Sequence, residues 1–97
     1  MAWQDAVRRF GRPTFLISAT ANGLWPEVFA ELRPGQCAAD RPDVVARVFQ
    51  RKLSRLLDVL RSDTSPLGRA VYVVHTIEYQ GRGLPRAHIL VRTWREG

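Results

Sequence analysis

Between about residues 42 and 61 the chain carries a single apolar stripe. Val45, Val48, Phe49, Leu53, Leu56, Leu57 and Leu60 recur at three- and four-residue steps, the spacing of one face of an α-helix. Pro42 suits the first helical position, and Ser62-Asp63-Thr64-Ser65-Pro66-Leu67-Gly68 ends the run. A helix with one oily face needs a surface to cover, and the residues that follow can supply it. Segments at about 70–80 and 86–93 are rich in β-branched and aromatic residues, with Gly81-Arg82-Gly83-Leu84-Pro85 between them. Glycines and a proline between such runs are the chemistry of a turn. The pair reads as an antiparallel hairpin.

The rest of the chain supplies smaller elements. Trp3, Ala6, Val7 and Phe10 have helical spacing, which predicts a short helix over 3–10, stopped by Gly11-Arg12-Pro13. Residues 14–20 form a mostly apolar strand, and Asn22-Gly23 turns the chain. A short helix is expected over 25–32, with Pro26 in its first turn, then a loop over 33–41 in which Asp40 is a candidate cap for the long helix. The order predicts an α+β fold: an antiparallel sheet with helices packed mainly on one face, the first strand beside the hairpin. Ninety-seven residues make one domain, 1–97. Trp3 and Trp25 read as core packing. Stacking on unpaired bases is the functional alternative for these two and for Trp94.

Composition narrows the partners. The hydrophobic fraction of 45% is enough for a two-layer core, which excludes global disorder. Fifteen basic residues, nearly all Arg, outweigh nine acidic ones for a net charge of +6. Arg is the better residue for bidentate phosphate contacts, so a polyanion is the expected partner rather than a small molecule. Cys37 is the only cysteine, so no internal disulfide forms, which suits a reducing intracellular compartment. No apolar run approaches the roughly 18 residues of a membrane span, and the N-terminus lacks a signal-peptide core. The end at Trp94-Arg95-Glu96-Gly97, just after a strand, suggests a piece of something longer.

The hairpin also plants polar groups on one face. Side chains alternate along a strand, so Glu78 and Gln80 share a face, as do Arg86 and His88. With Gly81 to Pro85 as the loop, Gln80 pairs with Arg86 and Glu78 with His88. Opposed Cβ atoms would lie roughly 4.5–5.5 Å apart. Glu78 and His88 read either as metal ligands or as a cross-strand ion pair. Arg86 cannot ligate a cation, because it offers only donors and keeps its charge. It could bind a phosphate oxygen, pair with Glu78, or be solvated. Arg47, Arg51 and Arg55 recur every four residues opposite the apolar stripe, either to track a DNA backbone or as a solvated face. Arg82, in the turn, is a further phosphate candidate, and Asn22 a possible DNA contact or simply a turn residue. His75 is expected on the face opposite Glu78, as a packing or edge residue. Ser18 and Thr20 share a face, but no His–acid pair is expected to activate Ser18. Cys37 has no nearby metal-binding partner in sequence.

Several blocks together resemble a known family: Trp3-Gln4-Asp5-Ala6, Phe10-Gly11-Arg12-Pro13, Trp25-Pro26-Glu27-Val28, Arg41-Pro42-Asp43-Val44-Val45-Ala46-Arg47-Val48-Phe49, and Glu78-Tyr79-Gln80 through Ala87-His88-Ile89-Leu90. In this order they resemble the helitron helicase-like N-terminal domain, the replication-initiator (Rep) part of helitron transposases. The resemblance implies an HUH endonuclease fold, named for two histidines flanking a hydrophobic residue. It implies single-stranded DNA as partner, Mg²⁺ or Mn²⁺ as cofactor, and a tyrosine nucleophile for strand nicking and joining in rolling-circle transposition. A metal would polarise the phosphate, and a tyrosine would split the transfer into two reversible steps. His88 falls on the second histidine and Ala87 on the hydrophobic middle, while Arg86 stands where the first histidine belongs. Glu78 matches the usual third ligand, and Phe15 to Asn22 resembles the first motif. The nucleophilic tyrosine would lie downstream of this strand, so Tyr72 and Tyr79 are not assigned that role. The helicase portion, with its phosphate-binding loop, is not in this sequence. The expectation is a degenerate site with weak or absent cation binding and no nuclease turnover by this chain alone, in a nuclear setting. The alternative is a non-catalytic nucleic-acid-binding or interaction module that keeps only the fold.

Overall fold

The computed structural model describes residues 2–79 and 84–94. The elements in order are α1 (Trp3–Phe10), β1 (Phe15–Thr20), α2 (Pro26–Phe29), a short 3-10 helix (Ala38–Asp40), α3 (Pro42–Arg61), β2 (Ala70–Tyr79) and β3 (Pro85–Thr93). The fold is α+β. Three antiparallel strands form one sheet in the order β1-β3-β2, so the last strand is central.

The long helix forms for the reasons its sequence gives. Pro42 opens it, Asp43 sits near its positive end and Arg61 near its negative end. Val44, Val45, Val48, Phe49, Leu53, Leu57 and Leu60 are buried along one side. Ser62 closes it by donating its hydroxyl hydrogen to the Val59 carbonyl at 2.8 Å. Asp40 does not cap α3. Its carboxylate turns back to accept the Cys37 backbone N–H at 2.9 Å, and Arg41 holds the capping position. The second helix is shorter than expected, because beyond Phe29 only single turns continue, from Glu31 to Val28 and from Leu32 to Phe29.

Central strand β3 sorts its residues by face. Pro85, Ala87, Ile89, Val91 and Thr93 are buried, alternating with Arg86, His88, Leu90 and Arg92. Of the first set, Ala87, Ile89 and Val91 join Val28 and the α3 stripe in the main core. Burying each large apolar side chain there contributes roughly 1.5–3 kcal/mol.

The second set faces the other way, where only α1 covers it. Ala6 is fully buried against Tyr72 and Val74, with Val71 and Leu90 beside them. The Tyr72 hydroxyl donates to the Gly11 carbonyl at 2.8 Å. Arg92 Nη1 donates to the Arg12 carbonyl at 2.6 Å. Gly11 ends α1 at φ 99°, a region that side chains rarely adopt. Trp3 is not core, contrary to the sequence expectation: it is 45% exposed at the rim of α1. Trp25 is partly buried against the core, with the Lys52 ammonium 5.0 Å from its ring centre.

The hairpin register departs from the expected one by two residues. Tyr79 pairs with Pro85, Glu78 with Arg86 and Thr76 with His88. A slip of two preserves which face each side chain takes, so Glu78, Arg86 and His88 still share one. The expected Gln80 pairing and the turn residues Gly81, Arg82 and Gly83 lie outside the described residues.

Candidate functional site

On the face that α1 only half covers, the three strands align side chains in cross-strand rows. Thr20, Arg86 and Glu78 form one row; Ser18, His88 and Thr76 the next; Leu16, Leu90 and Val74 the third. Arg92 and Tyr72 follow. The helix α1 covers the apolar third row and Tyr72, with Arg92 tied to the chain just beyond its end, which leaves the two polar rows open.

Geometry within the polar rows is specific. Arg86 Nε–H donates to Thr20 Oγ1 at 3.1 Å. Among the described residues, no carboxylate lies within ion-pair distance of this guanidinium. Glu78 stands directly across from it but turns to His88, with Oε2 and Nε2 3.4 Å apart. The other ring nitrogen, Nδ1, lies 3.3 Å from Ser18 Oγ. With the proton on Nε2, the ring donates to Glu78 and accepts from Ser18, a self-consistent assignment.

Ser18 is thus served by a His–acid pair, which the sequence reading did not expect. A hydroxyl, an imidazole and a carboxylate in that order are the parts of a nucleophile, its base and the base's orienter. Both contacts sit at the long end of hydrogen-bond range, and Ser18 and Glu78 are exposed. What the chain of contacts does here is fix the imidazole plane. Alternation within β1 already put Ser18 and Thr20 on one face. Only the pairing of β1 with β3 put them beside His88 and Arg86.

The remaining sequence candidates lie elsewhere. Arg47, Arg51 and Arg55 are exposed on α3, which packs on the opposite face of the sheet, so they do not join Arg86 in one site. Arg47 Nη2 donates to Glu31 at 2.9 Å. Lys52 pairs with Glu27, which holds that carboxyl below its usual range. Asn22 is engaged in its own turn, its Oδ1 accepting the Leu24 N–H at 2.8 Å. His75 is exposed, with opposite strand parity to Glu78. Arg82 is outside the described residues.

A family model described as the helitron helicase-like domain at the N-terminus matches residues 2–91. The chain belongs to this family. No curated protein and no solved structure matches it.

A resident cation can be tested against the side chains of the hairpin face just described. Mg²⁺ or Mn²⁺ calls for several oxygen or imidazole donors around one point. Among the described residues of this helitron domain, no three His, Cys, Asp or Glu side chains gather in that way. Glu78 and His88 make two donors, and the next side chain on that face of β3, Arg86, is a guanidinium that would repel the ion. That set does not fit a resident divalent cation. It fits an anion better: a fixed positive group whose Nη1–Nη2 edge makes no hydrogen bond among the described residues, with the Thr20 and Thr76 hydroxyls beside it. Among the described residues of the helitron domain, no helix is long and apolar enough to cross a membrane.

Proposed function

We propose that this helitron domain binds single-stranded DNA on the open half of its sheet, with Arg86 holding a backbone phosphate. The observation that carries the reading is the Arg86 guanidinium itself. Thr20 orients it, Glu78 is turned away toward His88, and the other N–H groups of Arg86 make no hydrogen bond or ion pair among the described residues. Arg geometry suits bidentate phosphate contact, and the net charge of +6 favours a polyanion. A single extended strand suits the site better than a duplex, since the polar rows form a strip only three side chains wide.

The resemblance to Rep-type enzymes implies metal-dependent nicking and joining in rolling-circle transposition. The side chains here support the binding half of that activity: Arg86 at the first histidine position supplies charge for a phosphate and removes a ligand for the metal. Mg²⁺ or Mn²⁺ binding at Glu78 and His88 is accordingly weak in this proposal. The domain then serves as the DNA-holding part of a helitron protein, in the nucleus.

Fluorescence anisotropy with a labelled single-stranded oligonucleotide tests the reading. Binding should weaken with salt, with a log–log slope of about −0.7 per phosphate contact. Arg86→Ala should weaken binding on all sequences and reduce the slope by about one contact. Absence of binding at low salt, or an Arg86→Ala variant that binds like the parent, overturns it.

A further inference from the structure

Beside the polar rows lies a cavity of about 260 Å³, lined by Trp3, Val74, His75, Thr76, His88 and Leu90. It is roofed on one side by the α1 rim and floored by the sheet. We propose that it is a nucleobase pocket: one unpaired base of the bound strand enters it and stacks on the Trp3 indole. This inference rests on the single-stranded DNA reading above and adds to it a site, a ligand class and a residue, Trp3.

Four observations converge. The volume lies just under the roughly 300 Å³ at which pockets for drug-sized ligands begin, which suits one small planar group. The walls pair an aromatic ring with the aliphatic Val74 and Leu90, while Thr76 and His88 stand at the polar end. Such a mixture takes the faces of a heterocycle and leaves polar edges for hydrogen bonds. Trp3 is 45% exposed although α1 is anchored at Ala6, so its ring is available to a ligand and is not consumed by the core. Finally, the pocket and the phosphate site share His88. Arg86 stands two residues along β3, roughly 7 Å away. A nucleotide whose base enters beside His88 therefore directs its phosphate toward the free edge of the Arg86 guanidinium. Charge complementarity at one end and an aromatic wall at the other select a nucleotide strand over an apolar peptide.

Anisotropy titrations with two strands of about 12 nucleotides decide the matter: oligothymidylate, and the same phosphate backbone with abasic sites throughout. The intact domain should prefer the base-bearing strand by roughly 5- to 150-fold, the range of one stacked base. Trp3→Ala should abolish most of that preference while its affinity for the abasic strand stays unchanged, and Trp3→Phe should retain much of it. Arg86→Ala should lower affinity for both strands and leave the preference intact. If oligothymidylate binds with the expected salt dependence but Trp3→Ala keeps the full preference, the pocket is wrong and the DNA reading stands. If neither strand binds, both fall. A thermal melt of Trp3→Ala close to that of the parent excludes unfolding as the cause of a loss.

Discussion

Glu78 faces Arg86 across the β2–β3 ladder, yet its Oε2 lies 3.4 Å from His88 Nε2, one row along. The acid has two cationic or proton-bearing neighbours to choose between and takes the imidazole. This choice leaves the guanidinium for another anion, and it keeps Glu78 and His88, two side chains able to ligate a cation, in contact.

Replacing the guanidinium with a third ligand should therefore build a cation site. Arg86→His puts a second imidazole on the same face as Glu78 and His88 and removes a fixed positive charge. Calorimetric titration with Mn²⁺ should show affinity rising at least about tenfold, in line with what a tuned ligand shell contributes. Adding Glu78→Ala should erase the gain. An unchanged affinity would mean that the three positions do not converge.

The Tyr72 hydroxyl ties β2 to the end of α1 through the Gly11 carbonyl. Tyr72→Phe should cost about 0.5–1.5 kcal/mol, the net worth of one such bond, read by denaturant melts. Burial also raises the Tyr72 hydroxyl above its usual value of 10.0, and the nearby Arg92 charge offsets part of that. A group whose folded value is raised contributes stability fully below its unfolded value and loses it as pH climbs through the folded one. Stability should thus fall as pH rises beyond 10.0, and the Phe variant should show less of that fall.

Gly11 holds φ 99° and ψ 178°, a region open to glycine almost alone. A Cβ there would also come within 2.9 Å of the Arg92 guanidinium. Gly11→Ala should destabilise the fold by about 1–3 kcal/mol. Amide exchange should locate the damage in α1 first. A variant as stable as the parent would contradict the backbone assigned here.

Ile89 is fully buried in the middle of the central strand. Ile89→Ala should cost about 2–5 kcal/mol. Its side chain points to the α3 face, away from Arg86 and His88, so DNA affinity of the folded variant should be unchanged in the anisotropy assay.

Periodicity carried the sequence reading where a pattern was uninterrupted. The stripe from Val45 to Leu60 marked α3 at its observed ends, 42 and 61, because Pro42 and the polar Ser62 run bracket it. Alternation likewise assigned Glu78, Arg86 and His88 to one face. Pairing was not legible in the same way. Slipping the hairpin by two residues leaves every face unchanged, and a loop rich in glycine and proline accommodates either register. Nor could local pattern say that β3 lies between β1 and β2, and Ser18 and Thr20 reach the site only through that arrangement. Trp3 was misread for a packing reason. Its helix approaches the sheet through the smallest residue in the repeat, Ala6, which pushes the larger aromatics outward to the rim.

Because β3 has a hydrogen-bonded neighbour on each side, Arg86 and His88 ride on the strand least free to breathe, whereas Glu78 sits near the end of an outer one. Any ligand arriving at this surface meets two stationary groups and one adjustable acid, so selectivity among anions is set by a rigid frame and accommodation by its border.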